Sequence, residues 1–483
     1  MRTSTLQYLY LQKPISTAII VCLISTLPWL GVGGFSSQQE RQEAMIASTI
    51  LKTGEWTLPQ TESGIPSYCP PMAQWVIALC SYPQGEVNTF TARLPSALAF
   101  AILIAAVLIF FGKRIRFQEA FIATFLLLTC FEMHRAGMTA GSDMLFTMFL
   151  FLSFIQLYRW ENKLELKGLP VLVPLLLSGA ILTKGVVGII LPLFVFGVYL
   201  LILRKYCMRK VLKTLLYTCV SSLFLPLLWY ISAWKEGGDA FLSAVWFENI
   251  GRLSPVPLQD GYTTVPVHSF WYHFVTLFCG FFPWTLLAFF SLFGLEIKRS
   301  GKSVGEVAKT IWSQVCSLDK IKLFSLVASV CIFVFYSIPA HKQSMDLLPV
   351  YPFIGLFLSQ LFLYITEHRS KVTRVFATLV AIVVSLGVLL IALFMVGALN
   401  PAEIPAIHPE IAKIQAHAMH IISQQFLSPS IVTILLSLLL LATLGTVYYQ
   451  MFKRINIKML YATILLTFCV NLLYNAVVIY ETA

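Results

Sequence analysis

Long apolar runs recur along almost the whole chain and constrain its fold more than any other feature. Each run approaches the roughly 20 residues that an α-helix needs to cross a bilayer. The runs lie near residues 16–34, 90–112, 118–134, 143–159, 169–183, 186–204, 211–233, 269–293, 321–338, 345–366, 372–398, 430–451 and 458–478. Lipid offers no hydrogen bonds to the backbone, so runs of this length are expected to be helical. The sequence therefore predicts an all-α polytopic membrane protein with about 13 transmembrane helices.

The composition excludes a soluble globular protein. Hydrophobic residues make up 58% of the chain and charged residues only 12%, far from the values of soluble domains.

One part of the span assignment has an alternative. Runs 169–183 and 186–204 are separated only by Lys184-Gly185, so a single re-entrant hairpin would also fit there.

The basic residues predict the orientation. Most of the 34 Lys and Arg residues fall in alternate loops, on the same side as the amino terminus, and positive charge marks the cytoplasmic side. The amino terminus is therefore predicted to be cytoplasmic, with residues 35–89, 235–268 and 399–429 in outer loops. The net charge of +12 follows from this topology and from contact with anionic membrane lipids. Nucleic acid is not an expected partner.

The first outer loop, residues 35–89, is long enough to carry structure of its own. Residues 43–51 place apolar side chains at helical spacing and end at Thr53-Gly54, and residues 72–79 form a second apolar segment after Pro70-Pro71. We expect two short helices that lie in the membrane interface.

Charged residues collect at the outer ends of spans rather than inside them. Glu40-Arg41-Gln42-Glu43 follows the first span, and Arg135 and Asp143 flank another outer turn. A charge kept next to hydrocarbon is costly, so these groups are candidates for a functional site. The span interiors carry few ionisable groups, which argues against a transporter with a polar pathway through the membrane.

Several motifs resemble a known family in order and spacing. They are the Glu40 to Glu43 island with Leu51-Lys52-Thr53-Gly54-Glu55-Trp56, Tyr68-x-Pro70-Pro71, Phe90-Thr91-Ala92-Arg93-Leu94-Pro95-Ser96, Arg135 with Asp143-Met144, Leu182-Thr183-Lys184-Gly185, Glu248-Asn249-Ile250-Gly251-Arg252, Phe282-Pro283-Trp284, and His341-Lys342 before Leu348-Pro349-x-Tyr351-Pro352. Together they resemble the GT-C fold membrane glycosyltransferases of the dolichyl-phosphate-mannose protein mannosyltransferase and lipid A aminoarabinose transferase type.

The resemblance implies an inverting transfer of a sugar from a polyprenyl-phosphate donor at the outer face of the bacterial inner membrane. The acceptor would be a lipid such as lipid A, another glycan or a protein, and membrane lipids would surround the site. In this family, acidic residues after the first span and after the Arg-containing outer turn fill the carboxylate positions. Here these residues are Glu40 and Asp143, with Glu43 as the alternative to Glu40.

The chain departs from the family pattern at two places. When the sequences are anchored on Thr53-Gly54, the leading Asp of the family falls on Gln39 and its following Arg falls on Gln42. The basic residue that usually precedes the Pro-Pro pair is Cys69. Phosphate binding is therefore expected from Arg252, Lys342, His341 or Lys184. Supporting roles fall to Glu43, Arg41, Arg135, Arg93 and Tyr68, and for Arg93 we favour a structural role.

The predicted organisation is a catalytic membrane region over residues 1–398, an outer loop over 399–429 and a C-terminal pair of spans over 430–483. No cofactor follows from the sequence, although two carboxylates are compatible with the divalent metal that some GT-C enzymes use. Two other functions remain open. A flippase for a lipid-linked glycan would need a polar path across the membrane, and a catalytically inactive assembly factor would account for the departures at Gln39 and Cys69.

Overall fold

The computed structural model describes residues 13–35, 37–61, 64–161, 164, 170–249, 251, 266–293, 304–395 and 430–478. In these residues the regular structure is α-helical, with short 3₁₀ turns and two isolated β-bridges. The helices are α1 (Pro14–Thr26), α2 (Gln38–Thr53), α3 (Met72–Ser81), α4 (Thr89–Gly112), α5 (Phe117–Thr129), α6 (Phe131–Gly137), α7 (Asp143–Trp160), α8 (Leu172–Lys184), α9 (Val187–Leu203), α10 (Met208–Asn249), α11 (Tyr272–Gly280), α12 (Trp284–Leu292), α13 (Val304–Cys316), α14 (Lys320–Ser337), α15 (Tyr351–His368), α16 (Ser370–Met395), α17 (Ile431–Lys453) and α18 (Asn456–Val478). The predicted all-α class is confirmed.

Seven helical segments in the described part of the chain are long and apolar enough to cross a membrane. The pair α11 and α12 is bent by 109° and would count as an eighth if the two helices form a single span. Four shorter apolar helices, α1, α5, α8 and α9, add to these. The chain is therefore an integral membrane protein.

One predicted span and one predicted outer loop differ from the expected form. The run 118–134 is broken at Cys130, whose extended backbone separates α5 from α6. The runs 169–183 and 186–204 each form a helix, α8 and α9, as predicted. The predicted outer loop 235–268 is wrong in its first part, because α10 continues to Asn249 after a break at Gly238. Trp229 and Phe241 on the two sides of that break pack edge to face, which holds the bent segment together.

The core of the helical bundle is aromatic. Phe110 and Tyr158 lie with ring centroids 5.4 Å apart, Tyr158 and Phe324 lie 5.3 Å apart, and Phe151 and Phe353 lie 5.5 Å apart. These rings come from α4, α7, α14 and α15. Large interlocking side chains fix the relative positions of these helices, and the helix ends therefore hold a defined geometry.

The two short helices predicted in the first outer loop are present as α2 and α3. Ser37 caps α2 by accepting a hydrogen bond from the Glu40 backbone N–H at 3.1 Å, and Gly54 ends the helix in a left-handed conformation. The apolar face of α2, including Ala47 and Ile50, packs against Ile77 of α3. This packing fixes the start of α2 beside the turn between α6 and α7.

Candidate functional site

A cavity of about 280 Å³ opens where α2 begins, beside the turn that joins α6 to α7. Its walls come from four separated stretches of sequence. The lining residues are Ser37 and Gln39; Arg135, Ala136, Thr139, Ala140, Gly141, Asp143 and Met144; Pro266 and Tyr272; and Lys342, Gln343, Ser344 and Met345. The structure thus brings Arg135, Asp143 and Lys342, three of the predicted site residues, to one concave surface.

Lys184 links two carboxylates at this cavity. Its Nζ lies 2.5 Å from Asp143 Oδ1 and 3.3 Å from Asp346 Oδ1. Asp346 is also fixed from its other side, because its Oδ2 accepts a hydrogen bond from the Gln343 backbone N–H at 2.8 Å. All three side chains are largely shielded from solvent. Such a shielded charge network holds each group in a defined orientation.

The Lys184-Gly185 turn is held by Asn249 at the end of α10. Asn249 Oδ1 accepts a hydrogen bond from the Val186 backbone N–H at 2.7 Å, and its Nδ2 donates to the Val245 carbonyl at 2.8 Å. Gly185 has a φ of 68°, and a Cβ there would overlap with Asn249 Oδ1. Glycine is therefore required at this position, and Asn249 fixes the end of the helix that presents Lys184.

We expect Gly185→Ala to destabilise the protein by about 1–3 kcal/mol, the usual cost of a strained backbone position. The new Cβ would displace Asn249 and with it the turn that carries Lys184. Thermal unfolding of the purified protein measures the effect. Gly445→Ala is the matched control, because Gly445 lies within α17 and has open space around it. An unchanged melting temperature for Gly185→Ala would contradict the constraint.

Lys342 projects from a short extended segment beside the cavity. His341 forms a β-bridge with Val267, and the Lys342 backbone N–H donates to the Pro266 carbonyl at 3.3 Å. The Lys342 ammonium is buried and donates hydrogen bonds to the carbonyls of His268, at 3.2 Å, and Pro339. Both acceptors are neutral carbonyls, so these contacts leave the positive charge of Lys342 available to an anion in the cavity.

Arg135 places a second cation at the cavity wall. Its Nη2 lies 2.6 Å from Glu132 Oε1 and donates to Ser344 Oγ at 3.0 Å. The side chain remains 42% exposed, so the guanidinium is oriented by Glu132 and is still accessible. The site therefore holds positive charge on Lys184, Lys342 and Arg135.

Glu40 does not line the cavity, contrary to the position expected for a catalytic carboxylate. It is fully buried and pairs with Arg93, whose Nε lies 2.7 Å from Glu40 Oε1. The same oxygen accepts the Ala140 backbone N–H at 2.9 Å. Arg93 also donates hydrogen bonds to the backbone carbonyls of Leu30, Val32 and Gly34, at distances of 2.6–3.1 Å. This geometry favours a structural role for Glu40, as the sequence already suggested for Arg93.

Glu43, one turn further along α2, lies near Asp143. Its Oε2 is buried and makes no hydrogen bond within the described part of the chain. Burial and the Asp143 charge raise the pKa of Glu43 to about 7, against an opposing effect of the Gln74 side chain. The charge of Asp143 thus acts on Glu43, whereas Glu40 is paired with Arg93.

The remaining predicted residues lie away from the cavity or outside the description. Arg41 is exposed on α2. The Tyr68 ring packs against that of Phe241, with the ring centroids 6.1 Å apart, and helps to hold the bent α10. His341 is buried beside Lys342, and Arg252 lies outside the described residues.

Sequence reasoning missed Asp346 and the anchoring role of Asn249. Asp346 follows His341-Lys342 by a few residues at the outer end of a predicted span, so the rule that selected Asp143 also applies to it. Asn249 was part of a recognised motif, but its contact with the Lys184-Gly185 turn joins two distant segments.

The residues do not fit a divalent cation between the two aspartates. The Lys184 ammonium lies between Asp143 and Asp346 and itself supplies the positive charge there. Within the described ranges, no group of three or more His, Cys, Asp or Glu side chains is arranged to hold a metal.

Comparisons with known proteins agree with this architecture. Residues 69–230 match the dolichyl-phosphate-mannose-protein mannosyltransferase family. The undecaprenyl phosphate-alpha-4-amino-4-deoxy-L-arabinose arabinosyl transferase of Shewanella sediminis is 24% identical over 400 residues, which cover 80% of this chain and 67% of the relative. The corresponding enzyme of Edwardsiella ictaluri is 23% identical over 51% of this chain and 44% of its own length. The chain thus spans less than half of that relative.

A solved structure extends the likeness to nearly the whole chain. ArnT from Cupriavidus metallidurans, bound to undecaprenyl phosphate, matches with a TM-score of 0.68 and 19% identity, covering 98% of this chain and 78% of ArnT. The chain therefore shares the fold of ArnT and is similar in sequence to membrane glycosyltransferases of the GT-C type. The resemblance to transferases of the ArnT type, predicted from the motifs, is confirmed.

Proposed function

We propose that this protein transfers a sugar from a polyprenyl-phosphate donor to a lipid acceptor of the lipid A kind, at the outer face of the bacterial inner membrane. The observation that carries the proposal is the cavity at which the Asp143 carboxylate meets the cations Lys184, Lys342 and Arg135. The sugar transferases named above, and the undecaprenyl phosphate bound to ArnT, support this donor class.

The outer-face location rests on the charge pattern. With the amino terminus in the cytoplasm and about 13 spans, the turns that carry Asp143, Lys184 and Lys342 all fall on the outer side. The structure places these turns at one cavity, as a shared side of the membrane requires. The basic loops remain on the opposite, cytoplasmic side.

The proposed reaction is a displacement at the anomeric carbon. The acceptor hydroxyl attacks this carbon from the side opposite the phosphate, and its proton passes to the Asp143 carboxylate. The bond from the anomeric carbon to the phosphate oxygen breaks, and polyprenyl phosphate leaves with the electron pair. Attack from the opposite side inverts the configuration of the sugar.

The cations assist the departure of the phosphate. Negative charge develops on the bridging oxygen as the bond breaks, and fixed positive groups stabilise it in a site shielded from water. Lys342 and Arg135 line the cavity, and Lys184 holds the orientation of Asp143. If the acceptor is itself a phosphate, no base is needed, and Asp143 with Lys184 would orient the acceptor instead.

The test is transfer by the purified protein from radiolabelled polyprenyl-phosphate sugars to a total-lipid extract. Formation of a labelled lipid would support the transferase and allow the acceptor to be identified. Absence of product with every donor, from folded protein, would favour an inactive assembly factor. Movement of labelled donor across liposomes without transfer would favour a flippase.

Lys342→Met is expected to weaken use of the donor by about 10- to 100-fold, the usual value of hydrogen bonds to a charged group. The ammonium would no longer meet the donor phosphate, so the Michaelis constant for the donor rises. Steady-state kinetics with varied donor measures this effect. Lys52→Met, at the exposed end of α2, makes the same chemical change away from the cavity. Equal Michaelis constants for the donor in the two variants would contradict the assignment of Lys342.

A further inference from the structure

Glu43 is a half-buried acid whose Oε2 is shielded from solvent, and the proposed reaction gives it no role. It stands four residues after Gln39 on α2, and residues at this spacing share one face of a helix. Gln39 lines the cavity and carries no charge. The acid on this face is therefore one turn further from the cavity mouth, where it interacts with Asp143.

Glu43 forms no ion pair within the described residues. Its Oε2 is buried without a hydrogen-bond partner in that part of the chain. From α3 it meets the neutral amide of Gln74, and from α7 it meets Asp143. Arg93 of α4 is already engaged by Glu40. An ionised carboxylate in this position would be desolvated and next to a like charge.

Two neighbouring carboxyl groups in a shielded site favour a state with a single proton. Lys184 pairs with Asp143 and Asp346, whereas no ion pair of Glu43 is found in the described part of the chain. The proton therefore resides on Glu43, whose pKa is raised to about 7.

We propose that Glu43 is a positioning residue that holds a proton beside Asp143 and thereby keeps a further negative charge away from the cavity at neutral pH. This inference rests on the proposed transferase function for its consequence. When Glu43 loses its proton to solvent at higher pH, the added negative charge opposes the phosphate of the donor. Donor binding is then expected to weaken as the pH rises through about 7.

The first test compares the pH dependence of the wild type with that of Glu43→Gln, which keeps the size of the side chain but cannot ionise. Between about pH 6 and about pH 8, the Michaelis constant for the donor should rise by about 5- to 30-fold in the wild type, as expected from one nearby like charge. In Glu43→Gln it should stay constant. Glu86→Gln, in an exposed part of the same loop, should follow the wild type. Parallel profiles for wild type and Glu43→Gln would overturn the proposal.

The second test does not depend on transfer activity. Infrared difference spectra of the purified protein report the carbonyl stretching band of a protonated carboxylic acid. This band should disappear as the pH rises through about 7 in the wild type, should be missing in Glu43→Gln and should persist in Glu86→Gln. A neutral-pH acid band that remains in Glu43→Gln would overturn the assignment of the proton. If the band behaves as expected but no donor is used, the transferase proposal fails and the protonation of Glu43 stands.

Discussion

Asp143→Asn is expected to lower the rate of sugar transfer by about 10²- to 10⁴-fold, the usual contribution of a general base. Asparagine keeps the shape of the side chain but cannot accept the proton of the acceptor hydroxyl. Lys184 would still be paired with Asp346 at 3.3 Å, so the variant should fold. Transfer from radiolabelled donor, measured beside thermal unfolding of the same preparation, separates the lost base from lost structure.

Asp239→Asn is the matched control for this experiment. Asp239 is exposed on α10, and the same chemical change there should leave both transfer and melting temperature near the wild-type values. If Asp143→Asn is folded and transfers sugar at the wild-type rate, Asp143 is not the base. That result would favour an acceptor that is already ionised, such as a phosphate.

The sequence predicted the parts of this site that depend on chain order and on the side of the membrane. Each of three residues lies at the outer end of an apolar run, where a charge next to hydrocarbon is costly and indicates a functional site. These residues are Asp143, Lys184 and Lys342. In the structure, Asp143 and Lys342 line one cavity, and Lys184 pairs with Asp143. The helices α2 and α3 were also predictable, since their apolar spacing and their Gly and Pro boundaries are local signals.

The choice between Glu40 and Glu43 was not predictable in the same way. The two acids are three residues apart on α2, and the sequence gives no measure of how far the helix is rotated about its axis. The rotation is set by tertiary packing, in which Arg93 reaches Glu40 at 2.7 Å. A motif register that is correct for the helix therefore does not decide which acid faces the site.

Contacts between distant segments of the chain also could not be predicted from the sequence. Asn249 holds the turn after Lys184 although 63 positions separate it from Val186, its partner in that turn. The helical continuation of α10 beyond Gly238 was missed because Lys235, Glu236 and two glycines are typical of a loop. Packing of Phe241 against Trp229 overrides those local preferences.

Breaking the Glu40–Arg93 pair is expected to have the largest effect on stability. Removing one member of a buried ion pair usually costs about 3–5 kcal/mol, because the other charge is left without its partner. Glu40→Gln should therefore lower the melting temperature strongly, and Arg93→Met should lower it at least as much, since Arg93 also donates to three backbone carbonyls. Thermal unfolding of the purified variants measures both changes.

The double variant distinguishes a lost pair from two separate effects. If the cost arises from an uncompensated buried charge, Glu40→Gln combined with Arg93→Met should destabilise the protein by less than the sum of the two single changes. Arg41→Gln, at the exposed neighbouring position, should change stability by no more than about 0.5 kcal/mol. The decisive contrary result would be a Glu40→Gln protein with the wild-type melting temperature and no transfer, because that outcome would return Glu40 to a direct role in catalysis. A destabilised variant that keeps its rate per folded molecule would instead assign Glu40 to the support of the α6–α7 turn, through its bond to the Ala140 N–H.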